Sequence, residues 1–376
     1  MVTGDTVNLA SRLQSAAEPG TVLVSADTAR LVAHAVETQD LGAIQVKGKA
    51  EPVQVFRLIS PAPLPTKLRG VAGLDSPLVG RHAEMAALCQ AIDRLQRGVG
   101  GIVTILGEAG IGKSRLVAEL RKQGPARPGE PSDPVELRWV EGRCLSYGAS
   151  IAYLPWLGIL RAVMGAPADE APAAVAGALK ALVRSVCADR FDDVYPYLAQ
   201  MMSLPLENEY QQALARLAGQ ELRQRTFMAA AMTITCMAEQ RPLVLVLEDL
   251  HWSDATSLAL LEHLLAAVER APLLLIAVFR PDKEHGSWRL REAAAERCAE
   301  RHTDLLLQPL TSTDSQRLMD NLLRAGALSE ELCRRILARA EGNPFYVEEI
   351  IRALLDEGAI VPDPATGGWR LTRELQ

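Results

Sequence analysis

The chain has 376 residues, 48% hydrophobic and 23% charged, with a formal net charge of −6. That balance suits soluble globular domains and argues against general affinity for nucleic acid. Six scattered cysteines without a CxxC pair exclude metal knuckles and a disulfide framework, the first residues hold no basic or apolar signal region, and the longest apolar run, 271–279, is too short to cross a bilayer.

In chain order, Gly4-Asp-Thr-Val-Asn-Leu-Ala-Ser-Arg12 reads as helix, with Asn8 and Arg12 four residues apart and so on one face. Pro19-Gly-Thr-Val-Leu-Val-Ser25, Val46-Lys-Gly-Lys49 and a strand-like run over 52–59 follow. Pro61-Ala-Pro-Leu-Pro65 opens a linker over 61–75, and a new helical pattern begins at Arg81.

From 76 to 309 strands and helices alternate. A strand at 101–106, a glycine loop and a helix at 113–122 come first. A proline-rich loop at 124–131, a strand at 135–140, an alanine-rich helix over 168–183 and a helix at 220–240 follow. The apolar strand 243–247, a helix marked by leucines at 258, 260, 261, 264 and 265, and the strand 272–279 complete the pattern. Continuous apolar strands between helices predict an α/β fold with a parallel sheet covered on both faces. Beyond 310 only helices are expected, at 312–325, 329–340 and 344–356, which make a helical subdomain over 310–357. Residues 358–376, with a hairpin over 359–371, begin a winged helix or linker.

Gly107-Glu-Ala-Gly-Ile-Gly-Lys-Ser114 fits GxxxxGK[ST] between a strand and a helix. Gly107, Glu108, Ala109, Gly110, Ile111 and Gly112 are thereby expected to wrap phosphates with backbone N–H groups at the positive end of a helix. Lys113 reaches the β- and γ-phosphates of ATP or ADP, and the Ser114 hydroxyl ligates Mg²⁺. No GxGxxG spacing competes for a dinucleotide.

Such a loop calls for a carboxylate on a neighbouring strand, and Leu243-Val-Leu-Val-Leu-Glu248-Asp249 supplies two. Glu248 is expected in the Mg²⁺ shell, and Asp249, also within reach of the metal, is expected to orient the attacking water. With the shorter acid second, the base falls about 1.5 Å short, one carbon–carbon bond, which suits slow hydrolysis.

These residues resemble signal-transduction (STAND-type) AAA+ ATPases. Leu247-Glu-Asp-Leu-His-Trp-Ser-Asp254 looks like their Walker B segment. Leu78-Val79-Gly-Arg81, followed by Glu84, resembles the entry motif that packs on adenine. Val278-Phe-Arg280-Pro281 resembles the sensor strand, which implies Arg280 near the terminal phosphates. Gly342-Asn-Pro344-Phe345 resembles the GxP element of the helical subdomain, which implies contact between Pro344 and the nucleotide. Taken singly, Arg280 also reads as a surface arginine before a turn, and Pro344 as a proline that starts a helix. His251 and Trp252 read as local packing, and Arg143 fits either the phosphates or a loop.

The first sixty residues resemble the C-terminal part of a class III adenylate/guanylate cyclase domain. The resemblance implies that Asn8 orients the ribose, that Arg12 stabilises charge on the α-phosphate and that Lys47 binds phosphate. The family's two metal-binding aspartates belong upstream of this stretch, so an incomplete α+β fragment is expected, with a vestigial site and no cyclase activity of its own.

The reading is a cytoplasmic ATPase module that uses ATP/ADP and Mg²⁺ as a nucleotide-controlled switch for an attached or partner cyclase or effector domain. It resembles bacterial cyclase–ATPase fusions related to soluble adenylyl cyclase. The alternatives are an adenylate cyclase in a fuller-length form and an ATP-dependent transcriptional regulator. No membrane or nucleic-acid partner is expected, and the sequence leaves oligomerisation open.

Overall fold

In the computed structural model, residues 5–18, 20–32, 36–45, 52–61, 76–123, 136–167, 170–323, 330–363 and 368–372 are described. Two compact units divide the chain, Met1–Gly73 and Leu74–Gln376.

In the first unit, α1 (Asp5–Ala16), β1 (Leu23–Ser25), α2 (Ala26–Val32), β2 (Val36–Ile44) and β3 (Val53–Pro61) follow in order. The strands form an antiparallel sheet in the order β1-β3-β2. Leu13 of α1 packs with Val55 of β3, and Leu9, Leu23, Ile44 and Val53 lie around them.

The second unit opens with α3 (His82–Gln96), β4 (Gly101–Leu106), α4 (Lys113–Gln123) and β5 (Arg138–Arg143). Five helices follow before the next strand: α5 (Leu154–Met164), α6 (Pro172–Val186), α7 (Phe191–Met201), α8 (Asn208–Ala215) and α9 (Gly219–Gln240). Then come β6 (Leu243–Glu248), α10 (Ala255–His263), α11 (Leu265–Val268), β7 (Leu273–Phe279), α12 (Gly286–Arg297) and β8 (His302–Leu306). The helices α13 (Ser312–Leu323), α14 (Glu330–Ala340) and α15 (Pro344–Asp356) precede an antiparallel hairpin of β9 (Ile360–Asp363) and β10 (Gly368–Leu371).

Strands β4 to β8 make one parallel sheet in the order β5-β6-β7-β4-β8. Side chains alternate across a strand, and here both faces are apolar. Leu243, Leu245, Leu247, Leu273, Leu275 and Phe279 enter one core, beneath residues of α5 to α7 and α9 to α12. Val244, Val246, Leu274, Ile276 and Val278 enter the other, beneath α3 and α4. Covering helices on both faces let these strands be apolar at every position.

Two expectations need correction. The acid-bearing strand β6 does not neighbour the loop-bearing strand β4, because β7 pairs with both and lies between them. A further strand, β8, pairs with β4; its edge sequence His-Thr-Asp-Leu-Leu is too short and polar to announce itself. The proline-rich loop at 124–131 and Lys47 lie outside the described residues, as do most of the linker and the side chain of Asn8.

Candidate functional site

Every residue of β4 is buried, and the chain leaves the sheet at Leu106 and enters α4 at Lys113. Between them Ile111, 3% exposed, packs into the core beneath α3 and α4. This anchor leaves Glu108, Ala109 and Gly110 as the exposed crest of the loop. Gly110 has φ +79° and Gly112 φ +101°, a region that side-chain-bearing residues rarely adopt. A methyl at Gly110 would also stand 2.6 Å from Cβ of Phe345.

Lys113 is 7% exposed, and its Nζ donates to the carbonyls of Gly107 (2.6 Å) and Glu108 (2.8 Å). The ammonium is thus held against the loop it serves, with burial offset by two strong acceptors. Arg81 braces the loop from outside. Its guanidinium, 5% exposed, donates to the carbonyls of Ile111 (3.2 Å) and Gln308 (2.7 Å) and lies 3.3 Å from Glu84. Leu78 packs on the same core, and Val79 beside it is half-buried.

Glu248 ends β6, and Asp249 leaves it in the left-handed region, φ 58° and ψ 36°. Arg143, at the matching end of β5, donates from Nε to Asp249 Oδ2 at 3.2 Å. Arg143 thus pairs with the second acid. Asp254 is a helix cap, accepting from the N–H groups of Thr256 (3.0 Å) and Ser257 (2.9 Å) at the start of α10.

Arg280 follows β7, is exposed, and sits 5.9 Å over the ring of Trp252. The His251 ring lies 5.0 Å from that of Trp252, and its two ring nitrogens are buried without a protein hydrogen-bond partner. Burial, reinforced by the charges of Arg280, Lys113 and His285 and opposed by Asp249, lowers its pKa to about 4. At neutral pH the imidazole is therefore uncharged.

The helical subdomain reaches the same place. Pro344 begins α15, and its Cγ would be 4.0 Å from a methyl at Gly112. Asn343, whose role the sequence did not reveal, donates from Nδ2 to the carbonyl of Ala109 at 2.9 Å. The asparagine before an N1 proline was the available signal, since that pair marks a helix cap.

Residues 77–276 match the family described as AAA ATPase domain, more than half of the 376 residues. The chain belongs to the AAA ATPase domain family. Residues 2–59 of this AAA ATPase match the adenylate and guanylate cyclase catalytic domain, of which they are a C-terminal fragment. Residues 311–363 match a domain of unknown function (DUF8739). An uncharacterized protein of Rhizobium meliloti (strain 1021) is 28% identical over 356 residues, which cover 93% of the AAA ATPase chain and 32% of that protein. The chain thus spans about a third of the length of this curated relative. Among solved structures, the Aeropyrum pernix ORC1 protein in complex with DNA is similar at 14% identity and TM-score 0.40, over 76% of this chain and 62% of that one. A signal transduction ATPase with numerous domains (STAND) and a tetratricopeptide repeat sensor, from Pyrococcus horikoshii, is similar at 15% identity and TM-score 0.34, over 72% and 29%. Among the described residues no helix is long and apolar enough to cross a membrane.

The residues present fit a nucleotide with Mg²⁺. The glycine crest would lose its shape to a Cβ, the orphaned nitrogens of His251 await a polar neighbour, and Ser114, Glu248 and Asp249 offer the hard oxygen donors that Mg²⁺ prefers.

Proposed function

We propose that the chain binds ATP or ADP with Mg²⁺ on the 107–114 loop and acts as a nucleotide-controlled switch, hydrolysing ATP slowly. The observation that carries this reading is the glycine loop at the buried end of β4, where Lys113 bonds the carbonyls of Gly107 and Glu108 and Asn343 of the helical subdomain bonds that of Ala109. Lys113 and the loop N–H groups hold the β- and γ-phosphates. Ser114 and Glu248 would hold Mg²⁺, which supplies charge neutralisation at the phosphates when bound.

Asp249, steered by Arg143, orients the water that attacks the γ-phosphorus, and the bond to ADP oxygen breaks to give ADP and phosphate. Arg280 faces the charge that develops on the transferred group. Leu78, Val79 and Arg81 line or brace the base side, and Pro344 closes it. The cyclase match over 2–59 supports a cyclase, attached or partner, as the effector. Asn8, Arg12 and Lys47 are then the residues of that domain's site that this stretch carries.

A switch of this kind holds its closed state only by differential affinity for one nucleotide. The purified chain is expected to carry ADP through gel filtration. Denaturation followed by ion-exchange chromatography of the supernatant reads it directly. An empty site that also fails to take up added ATP or ADP would overturn the proposal.

A further inference from the structure

One side chain of the helical lid bonds the phosphate loop and caps its own helix at once. After α14 ends at Ala340, Glu341 and Gly342 turn the chain in left-handed conformations, φ 49° and 74°. The Gly342 carbonyl accepts from the N–H of Leu310 at 2.8 Å. Asn343 then caps α15, with Oδ1 accepting from the N–H of Phe345 at 3.1 Å. Its Nδ2 donates across 234 positions of sequence to the carbonyl of Ala109, on the crest of the loop.

Asp and Ser cap helices as well as Asn, but neither pairs the capping acceptor with a side-chain N–H donor for a carbonyl. The two bonds also fix the amide orientation, since a flip would set donor against donor and acceptor against acceptor. Neighbouring contacts press the same turn onto the loop. Cβ of Phe345 lies 2.6 Å from where a methyl on Gly110 would sit. One turn further, burial raises the Glu348 pKa, opposed by the charge of Arg115 on α4.

We infer that Asn343 is a positioning residue that latches the first turn of α15 to the phosphate loop and thereby sets the rate at which nucleotide enters and leaves. The inference rests on the nucleotide reading above. A latch made between protein groups alone stabilises the closed lid whether or not nucleotide is bound. Loosening it therefore speeds association and dissociation together, whereas loss of a direct ligand contact speeds dissociation only. The net worth of a neutral hydrogen bond corresponds to roughly two- to tenfold in the lid equilibrium.

The test is stopped-flow binding and chase of a fluorescent ADP analogue on the full chain, with Asn343→Asp and Asn343→Ser beside wild type. Both variants keep the cap and lose the donor. Both rates are expected to rise roughly two- to tenfold, with Kd moving less than either, and with Tm within about 2 °C of wild type, a small change for a domain of this size. Asn343→Ala, which loses the cap as well, should melt lower than either. Unchanged rates overturn the latch, as does a rise in dissociation alone. A fall in Tm of both capping variants to that of Asn343→Ala assigns the residue to folding and overturns it as well. A folded wild-type chain that does not bind the analogue overturns the nucleotide reading instead, a result separable from normal binding with unchanged rates.

Discussion

The two units carry a polar helix pair and a glycine loop on very different foundations. In residues 74–376, every position of β4 and β7 is buried, and each face of the sheet has its own helical layer. A loop that leaves such a sheet inherits its rigidity, which is why Ile111 and Arg81 suffice to fix the crest. In residues 1–73, the described core is Leu13 and Val55 with a rim of half-buried neighbours. Asn8 and Arg12 stand four residues apart on α1, in the unit of the three-stranded sheet. Similar polar chemistry is thus written on both units, and among the described residues the second has far more buried apolar side chains to hold it in place. At roughly 1.5–3 kcal/mol for each large apolar side chain fully buried, the number of such side chains decides how firmly a site is held.

The largest expected effect tests that contrast directly. Lys113→Ala removes a charge that would make two charge-assisted bonds to phosphates, each worth about 1.5–3 kcal/mol. Affinity for a fluorescent ATP analogue should fall a few hundredfold or more. Arg12→Ala, in the other unit, should leave the same titration unchanged. The reverse pattern would move the nucleotide site to the first unit and break the comparison.

Next in size is the division between the two acids. Asp249→Asn should slow ATP hydrolysis by about a hundredfold, in the usual range for losing a positioned base, while binding stays nearly intact. Glu248→Gln should instead weaken Mg²⁺-dependent binding, read by titration with and without EDTA. Equal loss of binding in both would show that the acids share one role. A smaller effect belongs to the closed state. Pro344→Ala with Arg280→Ala should release retained ADP and speed exchange about tenfold, one unit of 1.4 kcal/mol. Identical exchange in the double variant and wild type would leave a plain ATPase without a nucleotide lock.

Most of the sheet was legible because its strands are unbroken apolar runs between helices, and the glycine loop because its spacing is chemically constrained. Lateral order was not. Chain order says nothing of which strands touch, so β6 was expected beside β4 although β7 separates them. β8 stayed hidden because an edge strand with His302, Thr303 and Asp304 has no apolar run to show. The pairing of Arg143 with Asp249 crosses 106 positions, and that of Asn343 with Ala109 crosses 234. No local pattern encodes either bond; only the assembled sheet and lid bring the partners together. Asn343 went unread in the sequence for that reason, and only Pro344 beside it was given a role.

The smallest expected effect concerns the imidazole at the centre of the firmer unit. His251 titrates near its ordinary 6.5 when exposed, whereas burial first, and then the charge of Arg280, lowers it to about 4 in the folded chain. Between those values the unfolded chain binds a proton that the folded one refuses, so the unfolded state gains as pH falls. The stability that His251 permits is complete above about pH 6.5 and is lost progressively toward pH 4. The partial exposure of the residue keeps this loss modest. Thermal melts of nucleotide-free protein should show Tm falling between pH 7 and pH 5. His251→Asn, which has no proton to take up in that window, should flatten part of the slope. An Arg12→Ala control should leave the slope as in wild type. Equal slopes in His251→Asn and wild type would mean that the imidazole is solvated in solution.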